Sequence, residues 1–270
     1  MGGDNPILKH WQTELQVFSN NFSLLQKNVS EDAVHDLRVA IKKLRSYFKL
    51  YVALSGKEFD KTLFASTGEL FSLLGKQRNV EITRKLLLSL ARIKRESLSP
   101  VLVYLQLIQD QVAEYCRRSI RHYKKEELVE LTARLEKGLE NFSLEEILDG
   151  TRKLIASSTD NIKGHLNHFD QESHLVRKDL KDIFYRAKIF GKEDLLSKEK
   201  LKTIDKILDN LGNIQDHEMM IKNLKGFRKT ILSKRVDEYS FIKKIEDKAK
   251  KRKKSLLHKA NEMTAKLVGS

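Results

Sequence analysis

The segment VHDLRVAIKKLRSYFKLY (Val34–Tyr51) decides the fold, because the chain contains two versions of it. The second version is SHLVRKDLKDIFYRAKIF (Ser173–Phe190), in which each residue lies 139 positions after its counterpart. His35 corresponds in this way to His174, and the apolar positions of the two segments follow in step. Self-similarity at a fixed spacing indicates a duplicated structural unit.

A second pair of segments supports the duplication. LLGKQRNVEI (Leu73–Ile82) corresponds to LDNLGNIQDHEMM (Leu208–Met220), with Gly75 matched to Gly212 at a spacing of 137 positions. Agreement of polar and apolar positions over two separate blocks is not expected by chance. We therefore predict a single domain, residues 1–270, made of repeat 1 at about 1–142 and repeat 2 at about 143–270.

The fold class follows from composition and apolar period. Only two prolines occur in 270 residues, and 40% of the residues are apolar. The apolar residues recur at the spacing of an amphipathic helix, which predicts an all-α fold. Helix starts are expected at Ser99-Pro100, with serine as the N-cap and proline in the first turn, and at Ser143, where Glu146 completes a capping box.

The two Leu-Gly pairs are expected to end helices. Gly75 and Gly212 would adopt the left-handed conformation that closes a helix, and Asn79 and Asp216 would cap the helices that follow. This interpretation predicts four separate helices, at Glu58–Leu74, Val80–Arg95, Asp194–Leu211 and His217–Ile231.

A stripe of one charge sign runs along the first motif helix. Its members follow helical spacing and are His35, Arg38, Lys42, Arg45 and Lys49. They span a band of about 80° on one face of a helix. A parallel apolar band should face the core and fix the direction of the stripe; it contains Val34, Leu37, Ile41, Leu44 and Phe48.

The second motif helix carries a corresponding stripe, formed by His174, Arg177, Lys181 and Lys188, with Lys178 beside it and Phe184 interrupting it. A solvated charged face is one interpretation of such stripes. Solvated faces usually mix charge signs, however, and like charges at this spacing lower helix stability. Two facing basic helices would form a cationic cleft between the halves, which suits a long, flexible polyanion.

Composition limits the compartment and the class of function. The chain has 52 basic and 37 acidic residues, a formal net charge of +15. Its longest apolar runs are far short of the ~20 residues of a membrane span, and the N-terminus lacks the apolar core of a secretory signal. The single cysteine, Cys116, can form no internal disulfide and is expected to be packed and inert. We expect a soluble, cytoplasmic protein without membrane association.

The four motif segments resemble the CHAD family, the conserved histidine α-helical domain. The resemblance rests on the His-x-x-Arg-x-x-x-Lys pattern, which occurs twice together with its Leu-Gly partner, and it covers essentially the whole chain. It implies two helical bundles related by a pseudo-twofold axis, with a basic central cavity or pore. It also implies specific binding of inorganic polyphosphate without a chemical reaction. A scaffold recruited to polyphosphate granules is a refinement of this function, and the sequence does not separate the two. We expect no cofactor and no metal.

Carried over position by position, the resemblance gives binding candidates in both motifs. Those of the first motif are His35, Arg38, Lys42 and Arg45, and those of the second are His174, Arg177, Lys178 and Lys181. The geometry of the stripes adds Lys43, Lys49, Arg78 and Lys188. The chain departs from the family pattern at Phe184, where arginine is common, and at Asn79, where aspartate is usual.

Two other functions stay open. A phosphohydrolase acting on phosphate chains would need a metal held by carboxylates or a phosphate-binding glycine loop, and the sequence carries neither motif. His165, His168 and His174 lie close in the sequence but have no cysteine or acid that completes a metal site. A nucleic-acid-binding module is compatible with the net charge, although single-strand binding uses aromatic side chains among the cations. Other polyanions would bind nonspecifically.

Overall fold

Helices account for nearly all of the chain that the structure describes. The computed structural model describes residues 5–58, 61–90, 98–190, 195–232 and 237–269, and these ranges contain no β-strand. The α-helices are α1 (Pro6–Lys27), α2 (Glu31–Ser55), α3 (Ala65–Leu90), α4 (Ser99–Arg121), α5 (Glu126–Leu139), α6 (Leu144–His165), α7 (Phe169–Ile189), α8 (Lys198–Thr230) and α9 (Asp237–Gly269). Short 3-10 turns, Lys61–Phe64 and Leu166–His168, precede α3 and α7. The predicted all-α fold is confirmed.

Side-chain caps begin several of these helices. Ser143 accepts a hydrogen bond from the main-chain N–H of Glu146, whose carboxylate in turn accepts from the main chain of Ser143, so the predicted capping box is confirmed. Proline lies in the first turn of α4 as expected. Ser99 is not its N-cap, however, because Leu98 holds that position without a side-chain cap.

The predicted helix ends at Gly75 and Gly212 are wrong. Both glycines lie inside continuous helices, α3 and α8, and Gly56 is the only residue with positive φ among those described. Asn79 and Asp216 are consequently mid-helix residues and not caps. A glycine inside a helix costs only about 1 kcal/mol relative to alanine, so packing at the position can override it. The predicted boundaries at Arg95 and Asp194 lie outside the described residues.

The apolar band of the first motif helix faces the core, as predicted. Val34, Leu37, Ile41 and Leu44 are fully buried, and Phe48 is nearly so. They belong to an apolar cluster formed mainly by the helices of the first half. Burying four such aliphatic side chains contributes about 1.5–3 kcal/mol each, which fixes the rotation of α2 about its axis. The basic face of α2, which lies beside this apolar band, is therefore held in one direction.

The second half has its own apolar cluster, and a third cluster joins the halves. Val176 and Leu180 of α7 pack with Ile207 of α8 in the second cluster. The third cluster brings Leu87 of α3 together with Phe227 of α8, and it also includes side chains of α4 and α9. Because this third core draws on both halves, the two motif helices are held in a defined relation to each other.

The halves follow the same order of packing partners. In the first half α1 packs against α2, α2 against α3 and α3 against α4; in the second, α6 packs against α7, α7 against α8 and α8 against α9. Across the halves α2 packs against α7 and α3 against α8. Helix α5, which packs against α2, has no counterpart among the described helices of the second half. The internal duplication and its pseudo-twofold axis stay predictions.

Candidate polyanion-binding cleft

Basic side chains from the two motif helices line one cleft between the halves. The cleft has a volume of about 480 Å³ and lies where α2 packs against α7, with α8 at its edge. Its lining from α2 is Lys42, Arg45, Ser46 and Lys49; its lining from α7 and α8 is His174, Arg177, Lys178, Lys181, Asp182, Tyr185 and Gln215. Seven of the candidate residues, drawn from both motif helices, line this cleft.

Two arginines anchor the motif helices to their neighbours. The Nη1 group of Arg38 donates a hydrogen bond to the main-chain carbonyl of Phe71 on α3, and its guanidinium carbon lies 4.1 Å from the centroid of the Phe71 ring. In the second half, Nη1 of Arg177 donates to the main-chain carbonyl of Leu208 on α8. These hydrogen bonds fix the orientation of both guanidinium groups, and each leaves further N–H groups available.

The glycines of the Leu-Gly pairs give these guanidinium groups their space. A Cβ atom at Gly75 would lie 2.6 Å from Nη1 of Arg38, and one at Gly212 would lie 3.4 Å from Nη2 of Arg177. The first distance is shorter than any real carbon contact, whereas the second is an ordinary van der Waals contact. Gly75 is therefore present because the arginine crosses α3 at that position.

Burial and mutual repulsion lower the pKa values of the cations in the cleft. Burial, together with the charges of Lys42 and Arg177, lowers the pKa of Lys181 to about 7. Burial, together with the charges of Arg38 and Arg177, lowers the pKa of Lys42 to about 8. The pKa of each lysine is thus lowered by cations of both halves. A bound anion would favour the charged forms of both lysines.

Two carboxylates oppose this positive charge. Asp182 lines the cleft and its charge raises the pKa of Lys181, and the charge of Asp216 on α8 raises the pKa of Lys42. Burial raises the pKa of Asp216 on α8, while Arg78 and Arg177 lower it. The charge of Arg78 also lowers the pKa of Arg38, which burial brings to about 10. Arg78 does not line the cleft itself, and its Nη1 lies 4.0 Å from the carboxylate of Glu81. Its charge lowers the pKa of Lys42 as well.

The CHAD domain family model matches residues 10–225 of the chain. The chain belongs to the CHAD domain family. The match begins within α1 and ends within α8, so α9 lies beyond it. A search of the curated proteins gave no match.

Among solved structures, the CHAD chain is similar to the crystal structure of the CHAD domain from the plant Ricinus communis. The TM-score is 0.64 and the sequence identity 16%, over 91% of this chain and 84% of the plant chain. At this identity the similarity shows that the two proteins share a fold.

Four of the predicted site residues of the CHAD chain lie outside the lining of the cleft, besides Arg78. Arg38 lies behind it, held by Phe71. His35 is exposed near the start of α2, and Lys43 is directed to α1, where its Nζ lies 2.6 Å from the carboxylate of the buried Glu14. Lys188 is exposed at the end of α7 with its Nζ 4.1 Å from the centroid of the Phe184 ring. We leave His35, Lys43 and Lys188 out of the proposed site.

The cleft also contains polar side chains that the sequence analysis missed. Ser46 follows Arg45 on α2, and Asp182 and Tyr185 extend the face of α7 that carries Lys178 and Lys181. Their helical spacing from the basic residues was a signal for them, but a stripe defined by positive charge does not include neutral or acidic side chains. Gln215 on α8 accepts a hydrogen bond of 3.2 Å from Nε of Arg177, and no sequence pattern pointed to it.

Other candidate sites of the CHAD chain are placed as follows. Within the described ranges, no three side chains of the types His, Cys, Asp and Glu come together in a way that could hold a metal ion. Nδ1 of His165 donates a hydrogen bond of 2.8 Å to the carboxylate of Glu172. Cys116 is fully buried, and burial raises the pKa of its thiol to about 11, as expected for a packed cysteine. None of the described helices is apolar over the length that crossing a membrane requires.

Proposed function

We propose that this CHAD protein binds inorganic polyphosphate in the cleft between α2 and α7 and catalyses no reaction on it. The observation that carries the proposal is the convergence of cations from both halves on one cleft, with the pKa values of Lys42 and Lys181 lowered to about 8 and about 7. In the free protein the cations of this cluster repel one another and are partly buried, which is unfavourable. A bound anion offsets this repulsion.

The chemistry of the lining favours phosphate oxygens as the bound groups. Lysine ammonium groups and arginine guanidinium groups both bind phosphate, the first as point charges and the second through paired N–H donors. The cations line the cleft from two helices. Lys42, Arg45 and Lys49 lie on α2, and Arg177, Lys178 and Lys181 lie on α7. A linear chain of phosphates can contact both walls at several successive units.

The same lining argues against nucleic acid as the preferred ligand. Tyr185 is the one aromatic side chain among the residues that line the cleft. Proteins that bind single strands stack successive bases on several aromatic side chains, each contributing about 1–3 kcal/mol. Phe71 and Phe64 lie near the stripe, but the guanidinium carbon of Arg38 lies over the Phe71 ring and that of Arg45 over the Phe64 ring. Polyphosphate has no bases and needs no such platform.

Equilibrium binding of long-chain polyphosphate tests the proposal. The informative variant is Lys42→Ala/Lys181→Ala, because these side chains line the cleft and anchor no neighbouring helix, unlike Arg38 and Arg177. The matched control is Lys202→Ala/Lys206→Ala, which removes the same number of lysines from exposed positions of α8. At ~0.15 M salt, where nonspecific contacts are weakened, we expect the cleft variant to lose about tenfold or more in affinity and the control to resemble the wild type.

Competition and turnover complete the test. Single-stranded DNA and RNA should displace polyphosphate only weakly from the wild type. Incubation of polyphosphate with the wild type should release no more orthophosphate than incubation of polyphosphate with the cleft variant. Equal affinity for all three polyanions, unchanged in the cleft variant, would show that the net charge acts nonspecifically and would overturn the proposal. Orthophosphate release that depends on Lys42 and Lys181 would overturn its noncatalytic part.

A further inference from the structure

A second basic surface lies between α8 and α9, outside the cleft. It is a groove with a volume of about 420 Å³, floored by Ile221 of α8 and Leu257 of α9. Its rims carry the lysines Lys222 and Lys225 on α8 and Lys250, Lys253 and Lys254 on α9. No aromatic side chain lines it. Helix α9 lies beyond the residues that the CHAD domain family model matches.

The groove begins where the cleft ends. Gln215 lines the cleft, and Glu218, Lys222 and Lys225 line the groove. At 100° per residue these four side chains fall within about 80° on one face of α8. With a rise of 1.5 Å per residue, the distance along the helix from Gln215 to Lys225 is about 15 Å. A linear ligand that leaves the cleft past Gln215 therefore meets the groove directly.

Several of the groove lysines are available for a ligand. Lys253 pairs with Glu218 at 3.3 Å, which neutralises the one acidic side chain of the lining, and Lys250 pairs with Glu246 and Asp247. Lys222, Lys225 and Lys254 take part in none of the ion pairs found within the described ranges. Their ammonium groups flank the groove from both helices.

We infer that this groove is a second binding segment for inorganic polyphosphate and takes the part of a long chain that extends beyond the cleft. The inference rests on the proposed function, because it continues the ligand of the cleft. A regular phosphate chain suits a groove that offers charge along its length and no platform for bases. The groove makes affinity depend on chain length, since only a long chain occupies both segments.

The test compares two ligands on matched variants. Tripolyphosphate is short enough to remain within the cleft, whereas long-chain polyphosphate reaches the groove. The groove variant is Lys222→Ala/Lys225→Ala, and the control is Lys202→Ala/Lys206→Ala on the opposite face of the same helix. We expect the groove variant to bind long-chain polyphosphate about tenfold more weakly at ~0.15 M salt, with the slope of log K against log salt reduced by about 1.4, or about 0.7 for each lost phosphate contact. Its affinity for tripolyphosphate should be unchanged.

Each outcome has one meaning. If the groove variant and the control bind long-chain polyphosphate equally, the groove is not a binding segment. If the groove variant loses affinity for both ligands to the same extent, the groove is not an extension of the cleft. Failure of the proposed function looks different: the wild type would then bind both phosphates no better than Lys42→Ala/Lys181→Ala. Thermal unfolding of the groove variant and of its control should agree with that of the wild type, because the four lysines that they remove are exposed.

Discussion

Gly75 on α3 lies directly against the guanidinium group of Arg38 on α2, because a Cβ atom at Gly75 would be 2.6 Å from Nη1 of that arginine. The hydrogen bond from this Nη1 to the carbonyl of Phe71 holds the arginine in place. In the second half a Cβ atom at Gly212 would be 3.4 Å from Nη2 of Arg177. Each glycine thus lies beside the arginine of its own motif helix, but a methyl group fits at Gly212 and not at Gly75.

This difference predicts opposite effects of alanine at the two glycines. Gly212→Ala should raise the free energy of unfolding by about 0.5–1 kcal/mol, because alanine is favoured over glycine inside a helix. Gly75→Ala should lower it by about 1–2 kcal/mol, because the new methyl group displaces Arg38 from a charge-assisted hydrogen bond that contributes about 1.5–3 kcal/mol. Chemical denaturation monitored by circular dichroism measures both. An equal rise in both variants would contradict the role given to Gly75.

The Leu-Gly pairs also show what could not be predicted from sequence. A glycine followed four residues later by Asn79 or Asp216 matches the local pattern of a helix end and a new cap. The actual reason for Gly75 is a side chain from a helix more than thirty positions earlier in the chain. Local patterns contain no information about that contact, which exists only once α2 and α3 pack together.

Periodicity did predict the parts of the site that depend on one helix alone. The apolar face of α2, from Val34 to Leu44, is buried as expected, and that burial fixes the direction of the neighbouring face that carries Lys42 and Arg45. The width of the cleft depends instead on how α2 and α7 meet. His35 belongs to the stripe and Lys43 lies beside it, but neither lines the cleft. Spacing within one helix cannot specify which part of the stripe meets the other half.

Stability should rise with pH through the range in which the cleft lysines lose their protons. Their pKa values, about 7 for Lys181 and about 8 for Lys42, are lower in the folded protein than the value of about 10.4 for an unfolded lysine. Between these values the unfolded chain binds more protons than the folded protein, so the free energy of unfolding increases with pH. Below about pH 7 both lysines are charged and the full penalty of burial and repulsion is present.

The Lys42→Ala/Lys181→Ala variant checks this pH dependence. Denaturation curves at pH 6, 7, 8 and 9 should give a smaller rise in the variant than in the wild type, because the two titrating amines are gone. The variant should gain most over the wild type at pH 6. Parallel pH profiles for the two proteins would mean that these lysines have ordinary pKa values in the folded state.

Binding of polyphosphate in the cleft should be accompanied by proton uptake at pH 8. The anion favours the charged forms of Lys42 and Lys181, which are partly deprotonated at this pH in the free protein. Isothermal titration calorimetry in buffers of different ionisation enthalpy measures the number of protons exchanged. We expect uptake at pH 8, little at pH 6, and none at either pH for Lys42→Ala/Lys181→Ala. Equal proton exchange at both values of pH would contradict the linkage.

The two motif histidines should differ in their effect on binding. His174 lines the cleft, whereas His35 is exposed outside it. His174→Ala removes one hydrogen-bonding group from the lining, which is typically worth about 0.5–1.5 kcal/mol and corresponds to a loss of about 2- to 10-fold in affinity. His35→Ala should bind polyphosphate as the wild type does. Equal losses in both variants would place His35 in the binding site after all.

Lys43 should be needed for stability and not for binding. Its Nζ lies 2.6 Å from Oε1 of Glu14, which is only 5% exposed, and the other carboxylate oxygen of Glu14 has no hydrogen-bond partner. Lys43→Ala would leave this buried carboxylate unpaired, at a cost of about 1–3 kcal/mol in the free energy of unfolding. Adding Glu14→Gln should recover most of that loss, because the neutral amide is less costly to bury. Polyphosphate affinity, measured well below the unfolding transition, should be unchanged in both variants. A loss of affinity in Lys43→Ala at unchanged stability would return Lys43 to the site.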